Sequence, residues 1–312
     1  MPIGIDPKVD FAFKLVFGSP DHTSITKHFL NAVLNLPQPI TEVEILNPIQ
    51  GKDRSEDKLV VLDVLAQDRL GSKFNIEMQT TIPLELPERL TYYNSLNFVR
   101  QIGPGDNYYQ IRPAISICVL SQNLFPEVEP YHLSFRLRCD QESLVFSDAL
   151  EFHTLELAKF RVSSDNPKYW SAVEKWLYFL LHAEQMEADE LASRLAEPAY
   201  EEAIGVLSMI SRSPEERQFY EARQKFLQDE RARILFARQE GLREGRQEGR
   251  QEGLQEGRQE GLEEGKLIGK VQMLEEMLGN PSADSSDLAR LGRAALTTRL
   301  ADLQTQLRGR QS

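Results

Sequence analysis

The chain has 312 residues, 41% of them hydrophobic and 8% aromatic, and its 36 basic and 48 acidic side chains give a net charge of −12 at pH 7. This composition excludes a wholly disordered chain, and the length allows one large core or two modest ones. No stretch approaches the roughly 18 consecutive apolar residues of a membrane helix, and the start lacks a signal-peptide pattern. We therefore expect a cytoplasmic protein without a membrane partner.

The negative charge argues against a protein that coats nucleic acid regardless of sequence, because such proteins need a basic surface. Residues 1–160 hold 14 basic and 21 acidic side chains, and the rest of the chain holds 22 and 27, so neither part is basic. An enzyme acting on nucleic acid is not excluded, since carboxylates that hold a divalent metal are neutralised by it. We expect DNA binding without metal to be weak.

Composition changes along the chain predict four segments. The last aromatic residue is Phe236, and eight glycines recur every four residues from Gly241 to Gly269. The segments are an N-terminal domain over 1–160, a helical segment over 161–240, the glycine repeat over 241–269 and a helical tail over 270–312.

The first domain alternates helical and strand patterns, in chain order. Helices are predicted within 7–17, over 23–35 and over 84–101, and strands over 41–47, 58–67, 73–80, 114–120, 131–138 and 150–157, with helices again from 167 onward. Strands joined by a crossover helix indicate a mixed α/β or α+β fold.

The most informative feature is a hairpin within residues 57–81. Gly71 suits the positive-φ position of a three-residue loop closed by Asp68 and Ser72. This register places Asp63 opposite Glu77, with Cβ atoms roughly 5 Å apart, and period two puts Gln79 on the same face.

Two carboxylates this close repel each other unless a cation lies between them or one is protonated. Mg²⁺ accepts a few hard oxygen ligands and keeps waters for a substrate phosphate, so it fits this pair. The alternative is a pair of solvent-facing acids. Against it, Asp63 has the aliphatic neighbours Val61 and Leu65 on its own face, and an unpaired buried carboxylate is costly.

These residues resemble the variant active site of PD-(D/E)XK nucleases in the Rpn recombination-promoting nuclease/putative transposase family. The hairpin carries Asp63, then Glu77-x-Gln79 after 13 intervening residues. Three further segments match the family pattern: Asp10-Phe11-Ala12-Phe13-Lys14 with Phe17-Gly18, Phe29-Leu30-Asn31-Ala32-Val33-Leu34, and Leu155-Glu156-Leu157-Ala158-Lys159-Phe160. The resemblance covers about residues 5–160, and a glycine-punctuated tail is also typical of the family.

The resemblance implies a restriction-endonuclease-like core and Mg²⁺-dependent cleavage of DNA, with Mn²⁺ as a substitute, in recombination or mobile-element biology. It implies that Asp63 and Glu77 bind the metal, that Gln79 takes the place of the usual lysine, and that Asp10 assists metal or water positioning. Leu62 replaces the usual proline. Because glutamine can only orient groups by hydrogen bonds, we expect slow or metal-demanding catalysis.

Three other residues are candidate phosphate contacts. Arg89 and Tyr93 lie four residues apart on a predicted helix, so they share a face. Lys14 lies one turn from Asp10. The alternatives are a surface arginine on an amphipathic helix and a lysine that pairs with a carboxylate. No nucleotide-binding glycine motif is present, so no organic cofactor is expected.

The glycine repeat predicts a poor isolated helix. Each glycine costs about 1 kcal/mol relative to alanine, and like charges align four residues apart. We favour a fluctuating helical linker, with homo-oligomerisation through rows of arginine and glutamate as the alternative. The whole chain is therefore predicted to be a DNA endonuclease, or alternatively a catalytically weak or inactive DNA-binding or scaffold protein that self-associates through its C-terminal repeat.

Overall fold

The computed structural model describes residues 1–46, 49–50, 60–281 and 283–311. It divides into two compact units, Met1–Gln228 and Asp229–Ser312, each of which is described by itself. No helix in the described part of the chain is long and apolar enough to cross a membrane.

The first unit is built on a six-stranded mixed sheet. Its helices are α1 (Asp10–Phe17), α2 (Thr23–Leu34), α3 (Leu86–Val99), α4 (Ala172–His182), α5 (Ala188–Leu195), α6 (Pro198–Arg212) and the start of α7 (Pro214–Met277). Its strands are β1 (Val43–Leu46), β2 (Ile49–Gln50), β3 (Val60–Val61), β4 (Val64–Asp68), β5 (Lys73–Gln79), β6 (Ala114–Leu120), β7 (His132–Arg138) and β8 (Val145–Glu156).

The large sheet has the order β1-β4-β5-β6-β8-β7. Strand β6 pairs in parallel with β5 and β8, which places α3 as the crossover between β5 and β6. The other neighbours are antiparallel, and β2 pairs with β3 in a separate ribbon. This mixed sheet with surrounding helices confirms the predicted restriction-endonuclease-like α/β class, followed by a helical C-terminal region.

The hairpin register follows the prediction. The ladder between β4 and β5 runs from Val64 opposite Ile76 to Gln67 opposite Lys73. Gly71 has a φ of 93°, and the N–H of Asp68 donates to the carbonyl of Ser72 at 3.2 Å. Turn chemistry thus sets the pairing of the whole hairpin.

The predicted strand over 58–67 is wrong in one respect. Residues 58 and 59 lie outside the described residues, and strand pairing is interrupted at Leu62 and Asp63, between β3 and β4. Asp63 therefore lies one residue before the ladder rather than within it.

The two faces of the sheet pack against different partners. Phe74, Ile76 and Met78 of β5 belong to the main core, together with side chains of α1, α2, α4 and α6. The opposite face carries Asn75 and Glu77, and α3 packs against it through smaller clusters such as Leu86, Leu90, Cys118 and Leu120. This alternation follows from the period of two along a strand.

The second unit is helical. Val271 near the C-terminal end of α7 and Leu278 directly after the helix form a small core with α8 (Ser285–Ala289) and α9 (Gly292–Gln311). All eight repeat glycines lie within α7, and a Cβ atom added at any of them would meet no atom within 4 Å. Packing within the chain therefore does not require glycine there. The four-segment division and the predicted instability of the isolated repeat stay predictions.

Candidate active site

Asp63 is fastened to β5 by its side chain. Its Oδ2 accepts a hydrogen bond of 3.0 Å from the backbone N–H of Met78. Because the chain leaves the ladder at Asp63, the carboxylate supplies the acceptor that a continuing strand would have offered as a carbonyl. The side chain is 15% exposed, so it is not freely solvated.

Glu77 lies beside it and is buried, with 4% of its surface exposed beneath α3. Its Oε2 accepts a hydrogen bond of 3.3 Å from the Gln79 amide. Its Oε1 is also buried and has no hydrogen-bond partner in the described part of the chain. Burial and, to a smaller extent, the nearby Asp63 carboxylate raise the pKa of Glu77 to about 8, against the opposing effects of the Arg89 guanidinium and of the Asp63 backbone and Asn75 amide that approach its carboxyl group.

Two basic side chains approach the carboxylates from distant parts of the sequence. Lys14, on α1, places its Nζ 3.3 Å from Oδ1 of Asp63. Arg89, on α3, is close enough to stabilise the charged form of Glu77, and its buried Nε has no hydrogen-bond partner among the described residues. The site therefore combines two carboxyl groups with two basic side chains.

Tyr93 completes the α3 side of the site. Burial raises the pKa of its hydroxyl, Arg89 opposes that shift, and the charges of Glu77 and Asp63 add to it. Its ring packs with Leu62 and Leu65. Arg89 and Tyr93, four residues apart on one helix face, thus both lie within electrostatic reach of the carboxylate pair, and their contact with a phosphate stays a prediction.

Asp10, on α1, pairs with an arginine of α7. Its two carboxylate oxygens accept hydrogen bonds of 2.6 and 2.7 Å from the Arg223 Nε on α7. Arg223 also lies over the ring of Phe226, 4.7 Å from its centroid. Lys14, one turn further along α1, contacts Asp63, whereas Asp10 is held by Arg223, so the part of Asp10 in positioning metal or water stays a prediction. Because Arg223 lies 213 positions away in the sequence, a local motif does not reveal its pairing with Asp10.

The sequence analysis missed a buried polar row beneath the site. Asn75 precedes Glu77 by two residues on the same strand face and is fully buried. Its amide atoms have no hydrogen-bond partner among the described residues, and neither has Oγ of Ser116, its neighbour across β6. The period of two could have placed Asn75 beside Glu77, but its burial depends on α3.

These residues fit a hard divalent cation. No cluster of three or more His, Cys, Asp or Glu side chains is arranged to hold a metal among the described residues. Mg²⁺, however, is commonly held by one or two carboxylates together with waters and substrate phosphates. The partnerless Oε1 of Glu77, next to Asp63, is a buried anionic ligand that a cation would satisfy.

Comparisons with known proteins agree with the resemblance. Neither the curated proteins nor the solved structures provide a match. The family model of PD-(D/E)XK nuclease family transposases matches residues 7–237, which is most of the chain. Enzymes of the PD-(D/E)XK class generally use divalent metals. The chain therefore belongs to the PD-(D/E)XK nuclease family transposases.

Proposed function

We propose that this chain is a metal-dependent DNA endonuclease that hydrolyses phosphodiester bonds in recombination or mobile-element activity. Mg²⁺ is the proposed cofactor, and Mn²⁺ is the proposed substitute. Asp63 and Glu77 would hold the ion.

The observation that carries the proposal is the buried, partnerless Oε1 of Glu77 beside a second carboxylate. A carboxylate held out of water without a partner is costly, and a like charge next to it adds to the cost. A cation bound between the two carboxylates would offset both costs. The family match supports phosphodiester hydrolysis as that use.

The chain's own side chains would divide the remaining work. A divalent cation at this site supplies Lewis-acid activation of the phosphate and of the attacking water. The Gln79 amide donates to Glu77 with its nitrogen, which leaves its carbonyl oxygen to accept from water and orient it. Gln79 cannot add a positive charge.

Lys14 would supply the charge that Gln79 lacks. Its Nζ lies beside Asp63, so the site has an ammonium group although the usual strand position carries an amide. Arg89 and Tyr93 would contact the phosphate from the α3 side, because both are near enough to Glu77 to interact with its charge. The assisting role of Asp10 in positioning metal or water stays a prediction, and in the structure its carboxylate pairs with Arg223.

Nicking of supercoiled plasmid tests the proposal. The wild-type chain should nick with Mg²⁺ or Mn²⁺ and stop with EDTA, and Asp63→Ala should be inactive. The matched control is Glu44→Gln, which removes an exposed carboxylate on β1, the strand that neighbours β4. Nicking that survives Asp63→Ala would rule out this site. No nicking with any divalent metal would favour a DNA-binding scaffold.

A further inference from the structure

A cavity opens on the same side of the sheet as Glu77. It has a volume of about 260 Å³ and lies between the first turns of α3 and the strands β7 and β8. Its walls include Leu90, Thr91, Phe125, Phe135, Phe152 and Thr154. None of the side chains that line it is charged, so the cavity is unsuited to a phosphate or another ion.

Three aromatic rings form one wall of this cavity. The rings of Phe125 and Phe135 are 5.6 Å apart between centroids and inclined at 41°. Phe135 on β7 is also the direct cross-strand partner of Phe152 on β8. Phe135 is 39% exposed, so this aromatic surface is accessible from solvent.

A buried ion pair fixes the position of Phe125. Glu156 and Lys159, from the segment matched to the family pattern, pair at 2.8 Å with side chains 0% and 8% exposed. Glu156 Oε1 accepts from the N–H of Phe125 at 3.3 Å, and Lys159 Nζ donates to its carbonyl at 2.6 Å. Buried ion pairs are poor stabilisers relative to apolar packing, so this one is better explained by the loop it holds.

The floor of the cavity carries one polar atom without a partner. Thr154 is 4% exposed, and its Oγ1 has no hydrogen-bond partner among the described residues. A hydroxyl both donates and accepts, so it can meet either kind of group on a ligand edge. A purely aliphatic occupant would leave it unsatisfied.

The cavity is close to the carboxylate pair. Glu77 is the direct neighbour of Cys118 across β6, and Cys118 is the neighbour of Thr154 across β8. Two strand spacings separate Thr154 from Glu77, which is about 10 Å. Arg89 and the cavity residue Leu90 are consecutive on α3. If a phosphate of a DNA strand lies at Glu77, the neighbouring nucleotides of that DNA strand are therefore within reach of the cavity.

We propose that this cavity accepts an unstacked nucleobase of the substrate strand, which stacks on Phe125 and Phe135 and meets the Thr154 hydroxyl with its polar edge. A nucleobase has an apolar face and a polar rim, which matches an aromatic wall with one hydroxyl. Because a single hydroxyl accepts and donates, the cavity should favour a base over no base without selecting one base strongly. This inference rests on DNA being the substrate, as proposed above.

The test is a binding comparison with two oligonucleotides. Fluorescence anisotropy would measure the affinity of the full chain for a single-stranded oligonucleotide and for the same strand with abasic sites, with Ca²⁺ as an oxygen-ligated ion in place of Mg²⁺. Base stacking on an aromatic side chain contributes about 1–3 kcal/mol, so we expect the base-containing strand to bind roughly tenfold tighter. Equal affinity for both strands would overturn the inference.

Variants locate the effect. Phe125→Leu and Thr154→Val should each reduce the preference for the base-containing strand. Phe146→Leu, which changes an aromatic side chain on β8 that is 84% exposed, should keep it. Thr154→Val removes a partnerless hydroxyl and should leave the melting temperature unchanged or higher, so it decides the matter even if Phe125→Leu fails to fold. A preference retained in folded Phe125→Leu and Thr154→Val would contradict the assignment.

Plasmid nicking measured on the same preparations separates this inference from the proposed function. Nicking without a base preference overturns the cavity assignment alone. A preference that depends on Phe125, without nicking in Mg²⁺ or Mn²⁺, supports the cavity assignment and overturns the endonuclease. No DNA binding by the wild-type chain overturns both.

Discussion

The two faces of the central sheet treat buried polar groups in opposite ways. On the main-core face, Glu151 accepts hydrogen bonds from Arg136 at 2.6 Å and from His153 at 2.9 Å, and His153 in turn contacts His132. On the α3 face, atoms of Asn75, Glu77, Ser116 and Thr154 are buried without hydrogen-bond partners in the described part of the chain. Such atoms lower stability unless another molecule satisfies them. We infer that the α3 face is arranged for a ligand and the opposite face for stability.

The largest expected effect is that of Glu77→Gln, which tests whether the α3 face serves nicking rather than stability. The change should lower the nicking rate roughly a thousandfold or more, because metal-ion stabilisation of a transition state amounts to several kcal/mol. The free energy of unfolding should stay the same or rise, since burying a carboxyl whose pKa is raised to about 8 costs stability above its ordinary pKa, and the neutral Gln side chain has no such cost. Nicking assays and urea denaturation measure the two effects. The comparison fails if Glu77→Gln unfolds the protein or leaves nicking above a tenth of the wild-type rate.

The neighbouring residue should behave in the opposite way. Ile76 is fully buried in the main core, so Ile76→Ala should lower the free energy of unfolding by about 2–5 kcal/mol. Each molecule that remains folded should nick at close to the wild-type rate. Urea denaturation, with nicking assayed below the unfolding transition, checks both statements. A larger loss of stability in Glu77→Gln than in Ile76→Ala would reverse the assignment of the two faces.

The sequence predicted the hairpin because its determinants are local. Gly71 sets the loop, the loop sets the register, and the register brings Asp63 and Glu77 together. What lies over the hairpin could not be predicted in the same way. The burial of Glu77 depends on how α3 packs, and this packing involves side chains of four strands, β1, β4, β6 and β8.

The first helix shows the same limit. Asp10 and Lys14 lie one turn apart, and both were plausible site residues. The pairing of Asp10 with Arg223 depends on a helix that begins more than 200 residues later, so no local pattern could have separated the two. Lys14, which was predicted as a phosphate contact or a carboxylate partner, contacts Asp63.

Lys14 offers a smaller and more specific test of the α3-face site. Lys14→Gln should reduce nicking about 10- to 100-fold, because one charged donor beside the transition state is removed. Lys14→Arg should restore part of the rate, since it keeps the charge on a longer side chain. Lys8→Gln is the control, because Lys8 pairs with Asp6 away from the site. Equal rates for Lys14→Gln and the wild type would show that Gln79 works without a nearby lysine.

The smallest expected effect is a pH dependence of stability that arises on the main-core face of the sheet, where the buried polar side chains are paired. Burial and, to a smaller extent, the neighbouring His153 lower the pKa of His132 to about 4. Between pH 6.5, the ordinary value, and pH 4 the unfolded chain takes up a proton that folded His132 does not, so stability should fall as the pH falls through this window. His132→Gln should flatten this part of the profile of melting temperature against pH, while Ser134→Ala, an exposed neighbour on β7, should not. An unchanged slope in His132→Gln would show that His132 is not the source of this pH dependence.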